Sequence, residues 1–260
     1  MRIDRADHGY ERPVAAEVPK ARGVDAVHDA DPVRGDATEG GGIDHAGDAS
    51  ADRLARSLEY RADVDAVDRA YAIDQGCARV RETEEKTVTP AMRCVEADDP
   101  DRHLAGLEHR LKGEDRLAEK IESDMTKWGV TAEQAFSNIK DAIRYTLEYP
   151  DDRYTNGVLM DCQRIEDAGF ELAERRNSWD GDQYKGINSR WRVPENGQLF
   201  EVQFHTRASF EAKQQTHAAY ERLRTLPEDH EDIHRLREYQ REITAKVPVP
   251  PGALDIPNYP

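Results

Sequence analysis

Residues 199–206 read Leu-Phe-Glu-Val-Gln-Phe-His-Thr. Phe200, Val202 and Phe204 alternate with Glu201, Gln203 and His205, a period of two among strong strand formers. One face of this strand is apolar. The other carries an acid, an amide and an imidazole in a row. The outward row of a strand commonly meets water, so this row is either a solvated face or the wall of a site.

The flanks define the setting. Upstream, "SRWRVPENGQ" leads into the strand with Pro194, Asn196 and Gly197 together, which predicts a hairpin. "NSWDGDQYKGIN" before it is a loop with Asp-Gly and Lys-Gly turn signals. "DDRYTNGVLMDCQRIEDAGFEL" reads as a helix, a glycine break and the start of a strand. In "TAEQAFSNIKDAIRYTLEYP", Thr131 with Gln134 is a capping-box pattern, and "AIRYTLEY" is a strand ended by Pro150. A helix is expected from Glu114 to about Lys127, with Leu117, Ile121 and Met125 on one face, and Thr89 before Pro90 marks a helix start. Leu54, Leu58, Tyr60, Val64, Val67, Tyr71 and Ile73 recur at helical spacing, with Gly76 as the expected break. Downstream, "RASFEAKQQTHAAYERLR" is an amphipathic helix and "EDHEDIHRLREYQREITAKV" a highly charged one. The tail "PVPPGALDIPNYP" can be neither regular helix nor central strand. This order predicts an α+β (mixed α/β) domain over residues 87–225, a mixed sheet flanked by helices. A helical extension at 53–86 precedes it, and the charged helix and Pro-rich tail at 226–260 follow.

Residues 1–52 are rich in Asp, Ala, Gly and His and poor in large apolar side chains. They cannot bury enough surface to offset chain entropy and are expected to be disordered or loosely attached; the His-Asp pair in "VHDAD" is incidental there. The 260 residues carry a formal net charge of −16, which repels nucleic acid and anionic membranes on average. A phosphate site therefore needs a local basic cluster set against that field. Cys77, Cys94 and Cys162 form no Cys-x-x-Cys, so neither a disulfide scaffold nor a zinc ribbon is suggested, and reduced thiols in a cytoplasm fit best. The sequence shows no apolar run of membrane-spanning length and no signal-peptide core.

Five groupings could carry chemistry. Arg110, Lys112 and Lys120 place cations around a helix start, where a polyphosphate can be held; a solvated mixed-charge helix is the bland alternative. Asp141 and Glu201 each open a strand and could share one Mg²⁺, which takes few carboxylates plus substrate phosphate oxygens; the alternative is two strand ends in water. Tyr184, in a glycine-containing loop, could stack on a nucleobase or cover a core edge. Lys213 and His217 are four apart and share a helix face, more commonly a solvated one. His230 to His234 fits the zinc pattern His-Glu-x-x-His, but its charged flanks lack the apolar cleft that would confirm it.

Together these pieces resemble a RelA/SpoT-type nucleotide pyrophosphokinase domain, which makes (p)ppGpp or (p)ppApp on a nucleotidyltransferase-like fold. The resemblance spans about residues 103–224. It rests on "HRLKGEDRLAEKI", "KDAIRYTL", "QYKGIN" and "FEVQFHT" followed by "THAAYERLR". It implies that Arg110, Lys112 and Lys120 hold the ATP phosphates and that Asp141 and Glu201 bind Mg²⁺. Glu201 would also act as base on the acceptor 3′-hydroxyl. Tyr184, Asn188, Gln203 and His217 would serve the acceptor purine nucleotide. The chain departs from the family in three places. Asp141 lies three residues before Arg144 rather than five, Asn188 ends the loop motif where histidine is usual, and His205 stands where arginine is usual.

The style of the strand and helix motifs resembles domains carried by bacterial toxins. That implies an effector acting in a target cell's cytoplasm and an immunity or antitoxin protein as partner. The expectation is thus ATP-dependent pyrophosphate transfer to a purine nucleotide. The alternatives are pyrophosphorylation of an RNA 3′ end, which the acidic surface disfavours, an inactive nucleotide-binding module, and a zinc hydrolase at His230 and His234.

Overall fold

A computed structural model describes residues 45–260, with side chains from residue 54 onward. Of residues 1–52, expected to be disordered or loosely attached, residues 1–44 lie outside the described residues, with the "VHDAD" pair; residues 45–52 are helical. The body described here is the unit Asp52–Pro260.

Helix α1 (His45–Thr83) runs through a π-helical turn (Glu84–Val88) directly into α2 (Thr89–Ala97). Strand β1 (His103–Ala105), α3 (Glu114–Trp128), α4 (Ala132–Asn138) and β2 (Arg144–Tyr149) follow. Then come α5 (Tyr154–Asp167), β3 (Glu171–Asn177), β4 (Ile187–Arg192) and β5 (Leu199–Thr206), and lastly α6 (Arg207–Thr225) and α7 (Asp232–Thr244). The five strands form one sheet in the order β1-β2-β5-β4-β3. Its one parallel pair is β2 with β5; the other neighbours are antiparallel. This is a mixed α+β architecture with helices on the sheet, as the order of elements predicts.

Strand β5 is central, and all eight of its residues are buried. Its apolar row packs on aromatic side chains: Phe170 meets Phe200 edge-on at 4.9 Å, and Tyr149 lies 6.4 Å from Phe204. Tyr154 of α5 donates its hydroxyl to the Phe204 carbonyl at 2.9 Å. A satisfied hydroxyl lets a tyrosine lie this deep. The β4–β5 turn is the expected hairpin connection, closed by Gly197 N–H on the Val193 carbonyl at 2.8 Å. The expected capping box of Thr131 and Gln134 opens α4, and Thr206 with Ser209 forms a second one at the start of α6.

Two expectations are corrected. Gly76 does not break α1, which continues to Thr83. A Cβ there would stand 2.0 Å from the Phe136 ring of α4, so glycine serves close helix–helix approach rather than termination. Nor does Thr89 start an independent helix, because the π-turn feeds it from α1. The Pro-rich tail is neither helix nor central strand, in line with its composition, but it is tied to the sheet. Tyr259 and Arg175 exchange backbone hydrogen bonds of 2.8 and 3.0 Å along the outer edge of β3. The Asn177 amide donates to the carbonyls of Ala253 and Ile256. Among the described residues no helix is long and apolar enough to cross a membrane.

Candidate active site

The polar row of β5 is not solvated. Glu201, Gln203 and His205 are 7%, 5% and 0% exposed. The parallel register puts Arg144 of β2 beside Glu201, and the Arg144 Nε donates to Glu201 Oε2 at 2.8 Å. The other end of the same guanidinium lies 3.5 Å from Asp141 Oδ2. Asp141 sits in the bend that leads into β2 and accepts from Lys112 Nζ at 2.9 Å. A local pairing brings Lys112 there: its N–H bonds the Ala142 carbonyl at 2.9 Å, while Arg144 N–H bonds the Arg110 carbonyl at 2.7 Å. The two carboxylates singled out in the sequence therefore flank one arginine.

Lys120 of α3 completes the cationic side. It lies 3.5 Å from Asp124, and its charge reaches Asp141. Burial works to raise the Asp141 carboxyl. The Lys112 hydrogen bond and the charges of Lys112, Arg144 and Lys120 outweigh that and hold it below the usual carboxylate range. Lys112, Lys120 and Arg144 keep part of their side chains exposed, so an anion can reach them.

Arg110 is engaged elsewhere. Its Nε donates to Glu84 Oε1 at 2.6 Å. Glu84, 2% exposed, opens the π-turn and also accepts from Tyr145 at 3.2 Å and from Thr89. This buried carboxylate went unseen in the sequence, because a glutamate in a charged helix reads as solvated until its neighbours are known. A π-turn is a common mark of functional helices.

Tyr184 and Asn188 come together: the tyrosine hydroxyl lies 2.7 Å from Asn188 Oδ1 and 2.9 Å from His205 Nε2. The imidazole meets the ring edge-on at 5.4 Å and contacts Ser209 Oγ at 2.8 Å. Burial, and then the Lys213 charge, push His205 far below its ordinary pKa, so it stands as neutral imidazole. Burial pushes the Tyr184 hydroxyl well up, with Glu201's charge adding to it. Gly186 makes this packing possible. Its φ is +149°, and a Cβ would lie 2.8 Å from His205 Cε1.

Gln203 donates from Nε2 to Glu201 Oε1 at 2.9 Å, and Lys213 of α6 donates to its Oε1. His217, one turn beyond Lys213, is exposed, and no hydrogen bond or ion pair joins it to these groups. His230 precedes α7, its Nδ1 accepting from Asp232 N–H at 3.1 Å. His234 faces Glu238 at 3.7 Å with 84% of its side chain exposed. The two histidines thus do not share a helix face, and the zinc-hydrolase alternative loses its geometry. Among the described residues no group of three or more His, Cys, Asp or Glu could hold a metal. Asp141 and Glu201 are the two carboxylates beside Arg144, and Mg²⁺ takes one or two carboxylates and completes its shell with water and phosphate oxygens.

No protein-family model matches the sequence, and no curated protein matches it. Several solved structures resemble it. One is the complex between the Type VI effector Tas1 and its immunity protein, at 16% identity and a TM-score of 0.46, over 68% of this chain and 98% of that one. The small alarmone synthetase 1 from Bacillus subtilis bound to pppGpp matches at 10% identity and a TM-score of 0.43, over 64% of this chain and 86% of that one. A GTP pyrophosphokinase family protein from Streptococcus pneumoniae matches at 18% identity and a TM-score of 0.43, over 67% of this chain and 86% of that one. Likenesses at this level leave the chemistry to be argued from the site.

Proposed function

We propose that this protein transfers pyrophosphate from ATP to the 3′-hydroxyl of a purine nucleotide. One observation carries the reading: Arg144 joins Asp141 to Glu201 across the parallel β2–β5 pair, beside Lys112. Charge neutralisation and positioning are what phosphoryl chemistry asks of a protein. Lys112, Lys120 and Arg144 present three cations to the triphosphate. Glu201 accepts the proton of the acceptor hydroxyl. The hydroxyl oxygen bonds to the β-phosphorus, the bond from that phosphorus to the bridging oxygen of the α-phosphate breaks, and AMP leaves. Tyr184, within electrostatic reach of Glu201 and Arg144, offers its ring to the purine, with Asn188 and Gln203 as polar neighbours. Asp141 and Glu201 would hold Mg²⁺, which supplies charge neutralisation at the phosphates. In this reading Arg110 serves through its Glu84 pairing, and an exposed His217 has no role. An effector acting in a target cell, with an immunity partner, belongs to the same proposal.

One observation favours a rival. Asp141 and Glu201 are already paired with the protein's own cations, as in a module that binds nucleotide without turnover. Purified protein with labelled ATP, Mg²⁺ and a panel of GDP, GTP, ADP, AMP and tRNA separates the two. The expected products are AMP and one pyrophosphorylated acceptor, with Glu201→Gln lowering turnover by about 10³-fold. ATP binding with no product from any acceptor favours the module and overturns the enzyme.

A further inference from the structure

We infer that Lys213 is a positioning residue for Glu201, acting through the side-chain amide of Gln203. The inference rests on the proposed transfer only in taking Glu201 as the proton acceptor. A lysine on an amphipathic helix ordinarily sends its head into water. Lys213 instead turns inward to Gln203 Oε1 and lies 5.2 Å above the Phe210 ring. Holding an ammonium there is unfavourable unless it is paired, and the amide oxygen and the ring face are what pair it.

The consequence follows from donor chemistry. An ammonium has three N–H donors and no acceptor, so it selects the oxygen of the Gln203 amide and leaves the NH₂ end for Glu201. The amide then donates to Glu201 Oε1 while Arg144 donates to Oε2. Both oxygens are held as acceptors, which fixes the carboxylate's rotation. With the lysine removed, the amide is free to turn and put its own oxygen against the carboxylate. The groups facing Lys213 are Arg144 of β2, Glu201 and His205 of β5, and Phe210 of its own helix. Burial, followed by the charge of Arg144, lowers the lysine to about 8, with Glu201 opposing.

The test has two independent readouts. In steady-state assays Lys213→Met should lower kcat about tenfold with KM for ATP little changed, and Lys213→Arg should restore most of the loss. Full kcat in Lys213→Met overturns the inference and leaves the proposed transfer standing. If the wild-type protein transfers nothing, the proposed function falls, and the ¹⁵N signals of the Gln203 side-chain amide decide the inference alone. Identified by their loss in Gln203→Glu, they should collapse toward solvated-amide values in Lys213→Met and hold in Lys213→Arg; unchanged signals in Lys213→Met overturn it. Should Lys213→Met not fold, the same signals are read in Lys213→Gln, which offers an acceptor as well as donors and so cannot select the amide oxygen. They should collapse toward solvated-amide values there too, and unchanged signals overturn the inference.

Discussion

His205 shows how one buried ring shapes the response of the whole chain to acid. It is fully buried, neutral, and bonded between Tyr184 and Ser209. Its folded pKa lies well below the ordinary imidazole value, so on acidification the unfolded chain takes up the proton first. Its contribution is intact above the unfolded pKa of about 6.5 and is lost as pH falls below it, by up to about 1.4 kcal/mol per pH unit. Urea unfolding at pH 7.5 and 5.5 should show the wild-type protein losing about 1.4 kcal/mol more than His205→Gln over that interval. Equal losses would sink the assignment. Asp141 acts lower on the scale. Its depressed pKa gives stability that is present above about 4 and lost only as pH falls further. At this scale the sequence disclosed residue types and period but not their use. The polar row of β5 was plain, whereas the burial that makes it a wall depends on α6 and on the loop before β4.

Among the elements, those governed by local rules were legible and those governed by contact were not. The Thr131 capping box, the Pro150 strand end and the 199–206 alternation all express forces within a few residues. Gly76 expresses something else: Phe136, sixty residues away, packs where its side chain would be. Gly76→Ala therefore separates the two explanations. Propensity alone predicts a gain of up to about 1 kcal/mol, but the clash predicts a net loss of about 1–3 kcal/mol. A thermal or denaturant melt reads the sign, and a stabilised variant would show that α1 and α4 do not meet there. The pairing of Lys112 with Asp141 was likewise beyond local rules, since it exists only because residues 110–112 align against 142–144. Glu84 was missed for the same reason: Tyr145 and Arg110 reach it from other parts of the chain.

At the scale of the whole molecule, the sequence carries a net charge of −16 and yet gathers Lys112, Lys120 and Arg144 at one site, so low salt sharpens the contrast between that site and the chain's average charge. The C-terminal tail is the other global feature. It buries Ala253 and Ile256 and covers the outer edge of β3. Ending the chain after residue 249 should cost about 2–4 kcal/mol, a fall in melting temperature of roughly 5–15 °C. The uncovered strand edge should also raise light scattering on standing. An unchanged melt would show the tail to be a passenger. The parallel β2–β5 pair has a last consequence, in time rather than space. Arg144 and Glu201 are 57 residues apart, and a parallel pairing cannot close until the crossover between them has been made. A nascent chain that has released β2 from the ribosome still lacks half of its site. A protein cut in the loop before β4 becomes two fragments, neither holding both carboxylates. Activity regained on mixing them would report the closing of that one strand pair.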